Sequence, residues 1–185
     1  MAEWLVLVYK LPAEPTRYRA SVWRKLKAAG AIYLQNGVAA LPQTASTERV
    51  MRGIVEEVRT MAGSAHLLES SPLIDELALR QAFMAARDEE YRELLGRCRD
   101  FHAELEKERA ATNFTFAELE ENEEDLAKLE AWLLKIATRD HFGAPLRTEA
   151  EQGLAGCRDD LQAFAESVYR AVDHGSAAGG EAERA

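Results

Sequence analysis

No aspartate occurs before Asp75, so the first 72 residues draw all six of their acids from glutamate. A Mg²⁺- or Mn²⁺-dependent nuclease needs carboxylates at the end of its first strand, because these ions demand hard oxygen ligands. That position here is Lys10. Cysteine is scarce as well: Cys98 and Cys157 are the only two. This excludes a disulfide framework and predicts a reducing, cytoplasmic setting. No apolar run reaches the 18 residues a membrane-spanning helix requires. The start, "MAEWLVLVYKLPAEP", has too short an apolar core and no basic flank for a signal peptide. The four histidines, 66, 102, 141 and 174, show no His-x-x-x-His or Glu-x-x-His spacing, and no paired cysteines accompany them. No metal site is predicted from them. Ser64, Ser70 and Ser71 lie in no nucleophile elbow, and no phosphate loop is present. No catalytic residue and no cofactor is predicted.

The net charge of −9 hides an asymmetry. Residues 1–72 carry 9 Lys and Arg against 6 acids, a balance of +3; residues 73–185 carry 14 against 26, a balance of −12. A basic first module that can meet an anion is predicted, followed by an acidic module that stays soluble.

"EWLVLVY" (3–9) is a nearly continuous apolar run, expected as a strand buried on both faces. After Pro12 and Pro15, residues 16–29 run at helical period. Tyr18, Val22, Leu26 and Ala29 share one face, and Arg17, Arg24 and Lys27 the opposite one. Asn36-Gly37 marks a hairpin between two short strands. A helix over 47–62, capped by Ser46 or Thr47, presents Met51, Ile54, Val55, Val58 and Met61; a strand over 64–72 follows. The order β-α-β-β-α-β is the ferredoxin-like plan, so the fold class is α+β.

Beyond Pro72 the texture is helical. Leu77, Met84, Tyr91, Cys98 and Leu105 recur every seven residues, with Leu94 and Phe101 as a second seam. The chain reverses near Thr112-Asn113. Thr115 and Glu118 open a helix bearing Leu119, Leu126, Leu129, Leu133 and Ile136; Thr148 and Glu151 open another bearing Leu154, Leu161, Phe164 and Val168. The expected organisation is a basic ferredoxin-like module (1–72), an acidic antiparallel helical extension of three helices (73–174) and a disordered tail (175–185).

Three sets of residues bear on function. Lys10 reads either as a strand-end lysine keeping its ammonium in water or as an anion contact beside Arg17. Arg17, Arg24 and Lys27 form either a solvated face or a surface for nucleic-acid phosphates, with no acid between Arg17 and Lys27 to neutralise them. Trp23 flanks that face and is expected at the rim of the core. Arg80 and Arg87 fall two heptads and one heptad before Leu94, where an inward leucine is expected. Either Arg87 pairs with a carboxylate near Asp140, or two inward guanidiniums make an oxyanion site. Cys98 and Cys157 occupy seam positions, as small packing groups or as a regulatory pair.

The run "WLVLVYKLP…TRYRASVWRKLKAAGAIYLQNGVAALP", followed by a helix, a short strand and an acidic helical hairpin, resembles the N-terminal domain family of the chromate-resistance protein ChrB. The resemblance implies a cytoplasmic, non-enzymatic regulatory protein linked to chromate resistance, since ChrB proteins are regarded as chromate-responsive regulators of an efflux gene. Full-length members carry a further C-terminal region that this sequence does not include. DNA or a small oxyanion such as chromate is the implied partner, with a homodimer built through the helices. "GAIYLQNGVAAL" is more distantly similar to the hairpin of the small CRISPR-associated Cas2 proteins. Those that are metal nucleases use an aspartate where Lys10 stands, so a nuclease is the alternative this residue weakens. A helical adaptor is the third reading.

Overall fold

The structure, a computed structural model, describes residues 3–182, with side chains described as far as Asp173. Four strands, β1 (Trp4–Lys10), β2 (Ile32–Gln35), β3 (Val38–Pro42) and β4 (Ser64–Ser70), form one antiparallel sheet in the order β2-β3-β1-β4. Helices α1 (Thr16–Ala28) and α2 (Ala45–Thr60) make the two crossovers. This is the ferredoxin-like arrangement, with β1 central between β3 and β4. Three long helices follow: α3 (Glu76–Ala110), α4 (Phe116–Arg139) and α5 (Arg147–Ala182). The chain divides into two compact units, 1–86 and 87–185, so the division falls inside α3, whereas the composition changes at Pro72. The expected disordered tail, 175–185, lies outside the described side chains.

In the first unit the strand register puts Leu5, Leu7, Ala39, Leu41 and Ala65 on one sheet face, all buried. Val22 and Leu26 of α1 and Met51, Ile54 and Val58 of α2 are buried as well, which completes a core of helix stripes laid on a sheet. The opposite face is only partly covered. Trp4 meets Phe83 edge-on at 6.0 Å, but Val8 and Leu68 remain exposed. The expectation that β1 is buried on both faces therefore holds near Trp4 and fails at Val8. Helix α2 begins two residues earlier than expected. Its cap is Thr44, whose hydroxyl accepts the Thr47 N–H at 3.1 Å, while the Thr44 N–H donates to the Thr47 hydroxyl at 2.9 Å.

The second unit is a bundle with heptad seams. Buried positions in α3 run Arg87, Tyr91, Leu94, Cys98, Phe101, Leu105 and Glu108, in alternating steps of four and three. In α5 they run Ala150, Leu154, Cys157, Leu161, Phe164 and Val168. In α4 Leu119, Asn122, Leu129 and Ile136 are buried, with Leu126 and Leu133 half-buried between them. Glu130 of α4 meets Arg158 of α5, and Phe116 meets Tyr169, so these helices run antiparallel. Gly153 lies against Leu95, and Cys157 against Cys98, so α3 and α5 run the same way. Thr115 caps α4 as expected, accepting the Glu118 N–H at 3.3 Å. Thr148 lies inside the first turn of α5 rather than at its cap.

The hairpin has one backbone position that tolerates no side chain. Gly37 sits at φ +74°, and a Cβ there would stand 2.5 Å from the Tyr9 carbonyl oxygen, which is backbone and cannot swing aside. Gly37→Ala is expected to cost about 1–3 kcal/mol of unfolding free energy in urea titration, through left-handed strain together with that clash. A loss below about 0.5 kcal/mol would show that the turn relaxes freely.

Candidate anion and nucleic-acid interface

Helix α1 carries Arg17, Arg19, Arg24, Lys25 and Lys27 and no acid. Its apolar stripe fixes which of these look outward. Val22 and Leu26 are buried, so the flank next to α2 carries Ser21 and Lys25, and both reach Glu57 of α2. The Ser21 hydroxyl donates at 2.9 Å and the Lys25 ammonium at 2.5 Å. Burial pushes the Glu57 pKa up, but these two donors and the Lys25 charge outweigh it and hold the carboxyl below its ordinary range. Lys25 is thus committed inside the protein.

Arg17, Arg24 and Lys27 are all exposed on the other side. The Arg17 guanidinium lies over the Tyr18 ring, 5.5 Å from its centre, and the Lys27 ammonium over the Trp23 ring at 5.1 Å. Such cation–π contacts hold long side chains in place without neutralising them. Trp23 is 48 % exposed, so it belongs to this face and not to the rim of the core. Among the described residues, neither Arg17 nor Arg24 forms an ion pair. From Arg17 to Lys27 the helix rises about 15 Å.

Lys10 is exposed at the end of β1, as a strand-end lysine would be. It lines a separate cleft of about 300 Å³ with Leu11, Pro12, Ala62, Gly63 and Ser64, to which α1 contributes nothing. A Cβ on Gly63 would stand 2.6 Å from the Lys10 carbonyl oxygen, so the two backbones meet there. The structure therefore groups Arg17, Arg24 and Lys27 and leaves Lys10 apart from them.

The inward arginines divide. Arg87 is buried as its register predicts, whereas Arg80 is exposed, which corrects the expectation for that residue. Arg80 belongs to the first compact unit, outside the bundle whose neighbouring helices the register presupposes. The direct counter-ion of Arg87 is also different. Its Nε stands 2.9 Å from the Glu90 carboxylate, one turn along its own helix, and Glu90 is shared with Arg139 of α4. Asp140 adds only a longer-range attraction. Its carboxylate accepts the Tyr91 hydroxyl at 3.2 Å and the Ala144 N–H at 3.0 Å. Burial lowers the Arg87 pKa from its ordinary value, with Glu90 opposing and Arg139 reinforcing the shift.

One cluster escaped the sequence reading. His102 Nδ1 lies 2.7 Å from Asp160, and its Nε2 lies 3.6 Å from Cys157 Sγ. Arg109 donates to the other oxygen of Asp160 at 2.5 Å. Burial raises the Asp160 pKa, but bonds from His102 and Arg109 win and hold it below the usual carboxylate range. The available signal was spacing: Cys98 and His102 are four apart and Cys157 and Asp160 three apart, each pair on one helix face. Among the described residues no group of three or more His, Cys, Asp or Glu side chains is arranged to hold a metal ion.

The family model described as "Protein ChrB, N-terminal" matches residues 19–175. The chain belongs to the ChrB N-terminal family. No curated protein and no solved structure matches it. The ChrB match takes in α1 from Arg19, strands β2, β3 and β4 and the whole bundle core, while β1, Lys10 and Arg17 lie before it. Membership connects the protein with chromate resistance, as its resemblance implied. No helix among the described residues is long and apolar enough to cross a membrane.

The Arg87 set makes a test of pairing against ligand binding. Replacing Glu90 removes the nearest counter-charge of a buried guanidinium, whereas replacing Arg87 leaves Glu90 still held by Arg139. Glu90→Leu is therefore expected to cost about 3–5 kcal/mol and Arg87→Met clearly less, measured by calorimetry. Chromate or sulfate is expected to leave the melting temperature unchanged. A saturable rise with either anion, lost in Arg87→Met, would make this an oxyanion site instead.

Proposed function

We propose that this ChrB-family protein is a non-enzymatic regulatory protein that holds DNA through the outer face of α1, acting as a dimer through its helical unit. One observation carries the reading: Arg17, Arg24 and Lys27 share an exposed face of a helix without acids, two of them steadied on aromatic rings. The face spans about 15 Å, roughly the rise of four base pairs, and so matches a run of phosphates along a groove edge. The contact is of the positioning kind, carried by charge, and needs no base recognition from these three residues. A small oxyanion is less well served. Its best candidate, Arg87, already faces Glu90, and Arg80 is exposed. Nuclease chemistry is less well served again, because the end of β1 offers the Lys10 ammonium where metal ligation needs a carboxylate.

Salt titration of duplex binding tests this. The parent is expected to bind with an affinity that falls steeply with salt. Changing Arg17, Arg24 and Lys27 together to Ala is expected to reduce the slope by roughly three, with the melting temperature unchanged. An unaltered slope, or no binding by the parent, would overturn the assignment.

The same samples, incubated with single- and double-stranded DNA in Mg²⁺ or Mn²⁺, are expected to leave both intact. Cleavage that survives repurification and disappears on mutating a single acid would establish an enzyme.

A further inference from the structure

We propose that Cys98 and Cys157 form a hydroperoxide-sensitive dithiol, closed to an intramolecular disulfide with His102 as the base that activates Cys157. The two cysteines come from adjacent parallel helices, both buried and free, and Cys157 Sγ lies 3.8 Å from the Cys98 carbonyl oxygen. His102 Nε2 stands on the same sulfur at 3.6 Å. The Asp160 carboxylate on Nδ1 favours the tautomer with its proton there, which leaves Nε2 free to accept. Arg109, bonded to Asp160 through both the carboxylate and the backbone carbonyl, fixes that carboxylate in turn. Nucleophile, base and orienting carboxylate are thus in line.

The thiols are not equivalent. The bond from Cys157 lowers the Cys98 pKa despite burial, helped by the nearby Arg99 guanidinium. The same bond, with burial and the nearby negative charge of Asp160, raises that of Cys157. Cys98 is therefore the more readily ionised sulfur, and Cys157, which lies against His102 Nε2 at 3.6 Å, is the one with a base to hand.

Access selects the oxidant. Both cysteines are buried, but the His102 side chain is 39 % exposed, and Gly156 beside it carries no side chain to cover the ring. A small neutral hydroperoxide fits such an approach; a bulky disulfide such as oxidised glutathione does not. In the first step the Cys98 thiolate attacks one oxygen of hydrogen peroxide, and the O–O bond breaks. This gives Cys98 sulfenic acid and hydroxide, which takes up the proton that Cys98 released to solvent on ionising and becomes water. In the second, His102 removes the Cys157 proton and the thiolate attacks the Cys98 sulfur. The S–O bond breaks, and the departing hydroxide takes the proton from His102 and leaves as water. Two thiols lose two electrons and two protons, and one peroxide becomes two waters.

The test is peroxide titration of the full chain, followed by alkylation and peptide mapping under non-reducing conditions. A Cys98–Cys157 disulfide is expected with hydrogen peroxide, formed at least about tenfold more slowly with oxidised glutathione. Cys157→Ser is expected to accumulate a sulfenic acid that dimedone traps, and Cys98→Ser is not. His102→Asn is expected to slow closure at least about tenfold and to flatten its pH dependence, while the melting temperature shows that the bundle is intact. Two thiols still alkylated after peroxide would overturn the proposal. So would a disulfide that forms only in denaturant, or equal sulfenic acid in the two serine variants.

Discussion

A guanidinium withdrawn from water at Arg87 is the constraint around which the bundle is arranged. Charge removed from water is tolerated only with counter-charge and hydrogen bonds in place. Glu90 supplies the first from the same helix, and Arg139 of α4 is drawn in by sharing it. Next to Arg139, Asp140 ends α4 and holds both Tyr91 of α3 and the Ala144 N–H in the turn towards α5. Asp88 accepts the Leu146 N–H at 2.8 Å, where α5 begins. One end of the bundle is thus tied through polar groups that link all three helices. At the other end Glu108 is buried and accepts the Asn113 side-chain amide at 2.6 Å. The apolar seam lies between these two polar closures, so helices that could otherwise slide are held at both ends.

The two units spend their charge differently. In the bundle many ion pairs join residues three apart on one helix, such as Arg92 with Glu89 and Lys107 with Glu104. Exposed pairs of this kind contribute little to stability and leave little net field. On α1 Lys25 is drawn into a pair with Glu57 of the neighbouring helix. The second half carries the net negative charge, and in the first unit Arg17 and Arg24 form no ion pair among the described residues.

The hairpin at Asn36-Gly37, the faces of α1 and the heptad seams of the bundle were legible in the sequence because each is a matter of local spacing, although Leu77, expected on the first seam, is exposed. What local spacing does not carry is register between elements. Arg80 and Arg87 have the same heptad position, yet only Arg87 lies where neighbouring helices enclose it. Arg87 was matched across the bundle to Asp140, but a long flexible side chain reaches Glu90 more cheaply along its own helix. Thr44 takes the cap from Ser46 because a threonine three residues on answers it. The Cys–His–Asp cluster needed the alignment of α3 with α5, which the close approach at Gly153 permits and no single segment reveals. The residues that carry the family resemblance lie mostly in the first 42, whereas the matched span runs from Arg19 to residue 175 and takes in the helices.

The alternating four-and-three spacing in all three bundle helices also bears on how such proteins can change length. Adding or removing one residue between Arg87 and Glu108 turns everything beyond it by about 100° and swings half the seam to the outside. A whole heptad restores the phase, but only if the facing helices lengthen with it. Growth of this domain is therefore quantised within the helices; in the connections at 111–115 and 140–146 it shifts no helix's phase, but there it must spare the polar closures at Asn113, Asp140 and Ala144.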